Sequence, residues 1–350
     1  MYKRTQTRAL KVGKLPIGGG APVSVQSMAN VDPHDAVALL EQIRACAEVG
    51  CDLFRLTVPD LAAATTLAEV KKSSPIPLVA DIHFDYRCAL AAIEAGVDAL
   101  RLNPGNIGGR AQVQAVARAA KAKGTPIRIG VNGGSLDVGA RRPRPDELVA
   151  AALEHVKLLE DEDFHAIVIS AKASSVSETL EVYRLLAERT DCPLHLGVTE
   201  AGTFLPGTVR NSVALGILLS EGIGDTIRVS LTAKPEKEVR VGVEILRSLA
   251  LRSPGPSITS CPTCGRTQVD LIGIATKVEN ALETLAKDGM KLPHVAVMGC
   301  VVNGPGEAKG ADIALCGGKD EFLVYVKGRL ACRVPEADAV RKVMEYAVSL

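Results

Sequence analysis

The sequence predicts a (β/α)8 barrel followed by a small α/β domain, on two patterns. Short apolar runs rich in Val, Ile and Leu alternate eight times with alanine-rich amphipathic segments. Strands separated by helices make parallel βαβ units, and eight units in about 230 residues match a closed barrel. A doubly wound open sheet is the alternative way to arrange such units. The pattern then breaks at LRSPGPS, residues 251–257, whose two prolines and glycine read as a linker. The expected domains are therefore a substrate-binding barrel over 1–250 and a second unit over 258–350.

In chain order, residues 1–22 hold short alternating segments around LKVGKLPIGG, expected as a hairpin plugging one end of the barrel. The eight strands are expected at Val23–Met28, Asp52–Val58, Pro77–His83, Ala99–Pro104, Pro126–Asn132, Ala166–Lys172, Leu194–Glu200 and Thr226–Thr232. Intervening helices are clearest at Asp35–Val49, Asp85–Ala95, Pro145–Leu159 and Glu236–Leu249. In the second unit, helices are expected over Ile272–Ala286 and Glu336–Val348, and strands at Val295–Met298, Ile313–Leu315 and Phe322–Val326.

The totals exclude several function classes. A formal net charge of +1 gives no support to general nucleic-acid or membrane-surface binding. No apolar run is long enough to cross a bilayer, and the basic N-terminus lacks the apolar stretch of a secretory signal. Cys46, Cys51, Cys88 and Cys192 sit among apolar or small residues and read as buried free thiols, as in a cytoplasmic protein.

Polar residues recur at the strand ends. Residues two apart on a strand share a side, which groups Arg55 with Thr57, Asp81 with His83, Arg101 with Asn103, Ser170 with Lys172, and Arg228 with Ser230. Arg128 and Asn132, four apart, share a side too. Arg55, Arg101, Arg128, Lys172 and Arg228 would then gather over one mouth, where they repel one another unless an anion lies between them. Arginine forks suit phosphate oxygens. The glycine-rich turns PGNIGGR, NGGS and EGIGD follow such strands, and the first precedes a helix whose N-terminus could help hold phosphate. Asp81 and His83 read as hydrogen-bonding partners in that mouth. Glu200 lies among the cations as a candidate acid.

The second chemical centre is SCPTCGRTQVD, with Cys261 and Cys264 in a CxxC, completed by Cys300 and Glu307 in MGCVVNGPGE. Three thiols and a carboxylate suit an iron–sulfur cluster. A structural zinc site would recruit Cys316 or Cys332 as a fourth soft ligand, and unligated core thiols are the third reading. Gly299, Gly304 and Gly306 let backbone approach something bulkier than one ion.

These motifs, with VQSM, ADIHFDYR, LRLNPGNIG, IRIGVNGGSL, LGVTEAG and LLSEGIGDTIRVSL, run the length of the chain in order. Together they resemble the 4-hydroxy-3-methylbut-2-enyl diphosphate synthases of the non-mevalonate isoprenoid pathway. The resemblance implies a TIM barrel and a domain similar to the cluster domain of sulfite and nitrite reductases. It implies a [4Fe–4S] cluster on Cys261, Cys264, Cys300 and Glu307, and Asn303 as a contact of bound substrate. The implied reaction is reductive opening and dehydration of 2-C-methyl-D-erythritol 2,4-cyclodiphosphate. In it Arg55, Arg101, Arg128, Lys172 and Arg228 hold the diphosphate, and Glu200 donates a proton. A carboxylate ligand is harder and more easily displaced than a fourth thiolate, which would leave one iron open to a substrate oxygen.

Electrons would come from ferredoxin or flavodoxin, whose docking leaves no spacing signature. The rivals are a redox-silent, pterin-type barrel synthase with a zinc tail, and a binding module with a zinc knuckle. The proline-rich loop Asp137–Pro145 looks too short to cover substrate as a longer loop would. Finally, the eighth helix should end opposite the mouth, and seven extended linker residues reach only about 23–25 Å. A head-to-tail homodimer is therefore expected, as the resemblance also implies.

Overall fold

The structure is a computed structural model that describes residues 6–133, 144–252, 257–287, 292–302 and 304–350. The loop expected at Asp137–Pro145 lies mostly outside the described residues, as do Asn303 and the side chain of Glu307. The chain divides into two compact units, Met1–Arg252 and Ser253–Leu350.

The first unit opens with an antiparallel hairpin of β1 (Leu10–Val12) and β2 (Leu15–Ile17). Val12 and Ile17 pack on Leu53, Val79 and Ala99, at or near the first residues of three barrel strands. The hairpin therefore plugs the N-terminal end, as expected. The barrel strands are β3 (Ser24–Met28), β4 (Leu53–Thr57), β5 (Leu78–Asp81), β6 (Ala99–Leu102), β7 (Ile127–Asn132), β8 (Ile167–Lys172), β9 (His195–Leu196) and β10 (Thr226–Ile227). They pair in parallel in the order β8-β7-β6-β5-β4-β3-β10-β9, and a parallel bridge from Ile169 to Leu194 closes the ring. This is the closed barrel, and the open-sheet alternative falls.

Helices α1 (Ala36–Glu48), α2 (Leu61–Ser73), α3 (Tyr86–Glu94), α4 (Arg110–Lys123), α5 (Pro145–Glu160), α6 (Val176–Arg189), α7 (Phe204–Ser220) and α8 (Pro235–Ser248) return the chain between strands. Several start at side-chain caps on the C-terminal face: Asp35, Asp60, Asp85 and Ser175 each accept backbone N–H bonds of the first turn.

Strands seven and eight are much shorter than expected. Gly197 comes so close to the Arg228 carbonyl that a Cβ there would stand 2.5 Å from it, so the chain turns out of the sheet where the apolar pattern alone suggested more strand. Arg228 and Ser230 therefore lie just past β10 rather than on it, and His83 and Asn103 likewise fall just past β5 and β6.

The second unit is a five-stranded sheet: β11 (Ser257–Ser260), β12 (His294–Met298), β13 (Ile313–Gly317), β14 (Glu321–Val326) and β15 (Arg329–Pro335). The first three are parallel and the last three antiparallel. Helices α9 (Leu271–Lys287) and α11 (Ala339–Ser349) cover one face through Val295, Val297, Ile313 and Leu315. The opposite face presents Ala296, Met298, Ala314 and Cys316 to Ala308 and Ala311. The edge strands β11 and β15 were not expected. SITS is polar, and RLACRVP, though mostly apolar, is largely exposed with only Cys332 and Val334 turned to the core, so neither reads as a buried strand.

Candidate functional site

The barrel's C-terminal end gathers the expected cations. Asp81, buried at the end of β5, is the hub: Arg101 Nη1 donates to it at 3.1 Å, and Arg55 Nε lies 3.6 Å away. Burial alone would raise the Asp81 carboxyl, but Arg55, Arg101, His83 and Arg128 outweigh it and hold it below the usual range. Arg101 also donates to the Gly130 carbonyl at 3.2 Å. A Cβ on Gly130 would stand 2.1 Å from Arg101 Nε, so the glycine in IRIGVN makes room for that guanidinium.

Arg128 is 5 % exposed and donates through Nη1 to Gln26 Oε1. Its Nε and Nη2 are buried without partners, as are Gln26 Nε2 and Arg228 Nε. Buried donors without acceptors are costly, and here they are all N–H groups, as an anion site requires. Burial is the largest influence pushing down Arg128 and Lys172, and the neighbouring cations push the same way. Arg55 is pushed down to about 10, by burial first and then by Arg228 and Arg101, against the pull of Asp81. Since arginine keeps its proton in proteins, these shifts reflect the cost of burying the charges first and their mutual repulsion second. For Lys172 burial first, and the neighbouring cations second, weaken its hold on the proton.

Of the remaining expected residues, Asn103 is buried and its Oδ1 accepts the Gly105 N–H at 3.1 Å, shaping the PGN turn. Asn132 ends β7, and Ser230 is half-buried with its carbonyl held by Asn211. The His83 ring is half-exposed, 3.9 Å from Asp81. Glu200 is exposed and adopts φ 53°, an uncommon backbone for a non-glycine residue, of the kind concentrated at functional loops. Helix α4 begins after the glycine turn with no side-chain cap at Gly109.

Three participants escaped the sequence reading. Gln26 and Glu238 are buried polar residues; Gln26 is uncharged among the serines of VSVQSM, and Glu238 does not stand out within the charged run PEKEVR. His195 is fully buried near the cations; Nδ1 lies 3.3 Å from Thr226 Oγ1, and Nε2 has no partner among the described residues. Burial first, then Arg128 and Lys172, hold its imidazole neutral.

In the second unit, β11 and β12 run parallel in register from Ser257↔His294 to Ser260↔Val297, so Cys261 and Cys300 emerge from neighbouring strand ends. The Gly299 N–H donates to Cys261 Sγ at 3.3 Å. Cys264 is exposed, and its thiol is lowered by the Arg266 backbone N–H first, then by the Arg266 side chain and the Thr267 hydroxyl. Thr263, inside the CxxC, adopts φ 67°, a strained choice for a β-branched residue. Gly299 cannot carry a Cβ, which would meet Thr267 Oγ1 at 2.8 Å.

The two spare thiols differ in their surroundings. Cys332 packs on the helix side, 3.9 Å from the Tyr346 hydroxyl. Cys316 is buried and pushed up to about 11, by burial first and by Cys300 second. Among the described residues no three His, Cys, Asp or Glu side chains group tightly enough to hold a metal ion. Accessible, unpaired thiols with N–H groups directed at them fit a thiolate-held iron–sulfur cluster, which spreads its ligands further than one ion does.

A closed parallel barrel with a cationic mouth, joined to a unit bearing accessible thiols, defines an enzyme class acting on an anionic substrate with help from a thiolate-bound centre. Residues 7–243 match the GcpE TIM-barrel domain and 257–349 the GcpE protein C-terminal domain. The chain belongs to the GcpE family. It is 53 % identical over 339 residues to a Geobacter sulfurreducens protein, covering 96 % of this chain and 95 % of that one. A Maridesulfovibrio salexigens protein is 54 % identical over 338 residues, covering 95 % and 93 %. Both are described as 4-hydroxy-3-methylbut-2-en-1-yl diphosphate synthase (flavodoxin).

Among solved structures, a Leptospira borgpetersenii N-acetylneuraminic acid synthetase shares the barrel at 14 % identity and TM-score 0.53, covering 71 % of this chain and 91 % of that one. A Xanthomonas albilineans dihydropteroate synthase does so at 14 % and 0.52, covering 71 % and 100 %. At such identity only the fold is shared, so the pterin-type alternative draws no support from the second.

A multivalent anion in the mouth should bring Lys172 back toward its ordinary pKa, so binding should take up protons. Titrating pyrophosphate calorimetrically at mildly alkaline pH, in buffers of different ionisation enthalpy, should show net uptake. Pyrophosphate releases protons of its own on binding cations, so the comparison is with Lys172→Met: uptake no greater in the unsubstituted protein than in that variant would put Lys172 out of the anion's reach.

Proposed function

We infer that this chain opens 2-C-methyl-D-erythritol 2,4-cyclodiphosphate reductively, with two electrons, two protons and loss of water, to (E)-4-hydroxy-3-methylbut-2-enyl diphosphate. The observation that carries the substrate side is the set of buried, unpartnered donors on Arg128 and Arg228 within a cation-rich mouth. Identity above half with the synthases, over nearly the whole of both chains, supports the reaction.

In this reading Arg55, Arg101, Arg128, Lys172 and Arg228 replace the water shell of the diphosphate with fixed donors. Asp81 keeps Arg55 and Arg101 aimed at it. Asn103, Asn132, His83 and Ser230 line the same end of the barrel and orient the sugar-derived carbons. Glu200, exposed on a strained turn, delivers the proton that converts the departing hydroxyl to water. Asn303 hydrogen-bonds bound substrate. Cys261, Cys264, Cys300 and Glu307 would hold a [4Fe–4S] cluster, which supplies single electrons and Lewis acidity. Flavodoxin is the donor in the relatives' names, and it is the donor proposed here over ferredoxin. Free thiols throughout fit a cytoplasmic location, and no described helix is long and apolar enough to cross a membrane.

Anaerobic turnover of the cyclic diphosphate with a chemical reductant tests the reaction. Cys264→Ser should lose both iron and turnover, because a hydroxyl is a poor replacement for a thiolate on iron. A variant that kept full iron content and colour would remove Cys264 from the ligand set.

A head-to-tail homodimer, the thiol-bearing unit of one chain serving the barrel of another, belongs to the same proposal. Its support is that Arg252 forks onto Asp52, just before β4, at 3.0 and 3.1 Å. The chain is thus fastened at the barrel end opposite the mouth, a few residues before β11. Mixing Cys264→Ser with Arg228→Ala under subunit exchange should restore activity through one intact composite site. Heterodimers that form and stay inactive would show that each chain serves itself.

A further inference from the structure

Strand β10 pairs with β3 only at Thr226↔Ser24 and Ile227↔Val25, yet β3 runs on to Met28. Past Ile227 the chain carrying Arg228 has parted from β3; the Arg228 N–H still reaches the Leu196 carbonyl on the other side at 3.0 Å, but the side toward β3 needs another anchor. Helix α8 provides one. A Cβ on Gly242 would stand 3.0 Å from Val25 Cγ1, so the glycine lets the helix lie close against β3 and β10. Glu238 is one turn earlier on the same face and only 4 % exposed. Its Oε2 accepts the Ser27 hydroxyl at 2.9 Å, its Oε1 accepts the Leu231 N–H at 2.9 Å, and Arg228 Nη2 lies 3.5 Å from Oε1.

We propose that Glu238 is a positioning residue for the mouth: it ties β3, the chain beyond β10 and Arg228 into the arrangement that receives the diphosphate. The proposal rests on the diphosphate reading above. A carboxylate is needed because three donors converge on its two oxygens. A glutamine offers one oxygen and turns an N–H₂ group toward the remaining donors.

Charge and position make opposite predictions here. As a mere negative charge Glu238 opposes anion binding, and removing it should tighten the site. As an anchor of Arg228 its removal should loosen the site.

The test is calorimetric binding of pyrophosphate to the full chain, with thermal unfolding followed in parallel. Glu238→Gln should weaken binding about tenfold, the loss expected when one charge-assisted contact is misplaced. In an Arg228→Ala background the same change should add little, because the two act through one contact. With the cyclic diphosphate, KM should rise more than kcat falls. Binding that is unchanged or tighter in Glu238→Gln, or losses that simply add, would overturn the proposal. Should Glu238→Gln not fold, Ser27→Ala removes one donor and no charge, with the same expected direction and the same overturning result. If the unsubstituted protein itself fails to bind pyrophosphate, the diphosphate mouth falls, and this proposal with it.

Discussion

Everything in the barrel unit turns on the crowding of like charge. Five cations converge where the field is poorly screened, and among the described residues the buried carboxylates Asp81 and Glu238 pair with three of them. Two unit charges 4 Å apart interact by about 4 kcal/mol at an effective dielectric of 20, so such an excess strains the unliganded mouth. The fold tolerates the strain because the barrel is closed, its floor is plugged by the hairpin, and glycines at 130 and 197 leave space where side chains would collide. On the proposed reading a diphosphate would relieve the strain and satisfy the unpartnered donors at once.

The second unit solves a different problem, presenting thiols while keeping them reactive. Parallel pairing of β11 with β12 sets Cys261 and Cys300 at adjacent strand ends, and the tight turn through Thr263 presents Cys264. Backbone and side-chain donors from Arg266 and Thr267 favour the thiolate at Cys264, and the Gly299 N–H is directed at Cys261 Sγ. The spare thiols differ in their surroundings, Cys316 being buried and Cys332 facing the helices. In Cys46 and Cys51, burial raises the thiol and keeps it inert.

Much of this was legible before folding. Eight apolar runs, each followed by a helical pattern, announced the barrel, and the i, i+2 polar pairs announced Arg55, Asp81, Arg101 and Lys172. What the pattern missed has a common cause: it was written across the chain rather than along it. Glu238 matters because Gly242 brings a helix close to strands more than 200 residues earlier. Gln26 matters because Arg128 reaches it across the barrel interior. Strands β9 and β10 were overread because the chain leaves the sheet at Gly197 for reasons of packing that hydrophobicity does not record. The edge strands β11 and β15 were missed because neither reads as a buried strand.

The central claim is that the mouth gives up stability in exchange for anion binding, and Arg128 is its most buried arginine. Replacing an under-paired buried charge with an apolar side chain of similar length is often neutral or stabilising, by about 1–4 kcal/mol. The deciding measurement is the thermal midpoint of Arg128→Met, taken with and without pyrophosphate. The account predicts a midpoint at or above that of the unsubstituted protein, and no further rise when pyrophosphate is added. A midpoint that falls sharply while pyrophosphate still stabilises the variant would make Arg128 a structural residue and contradict the account.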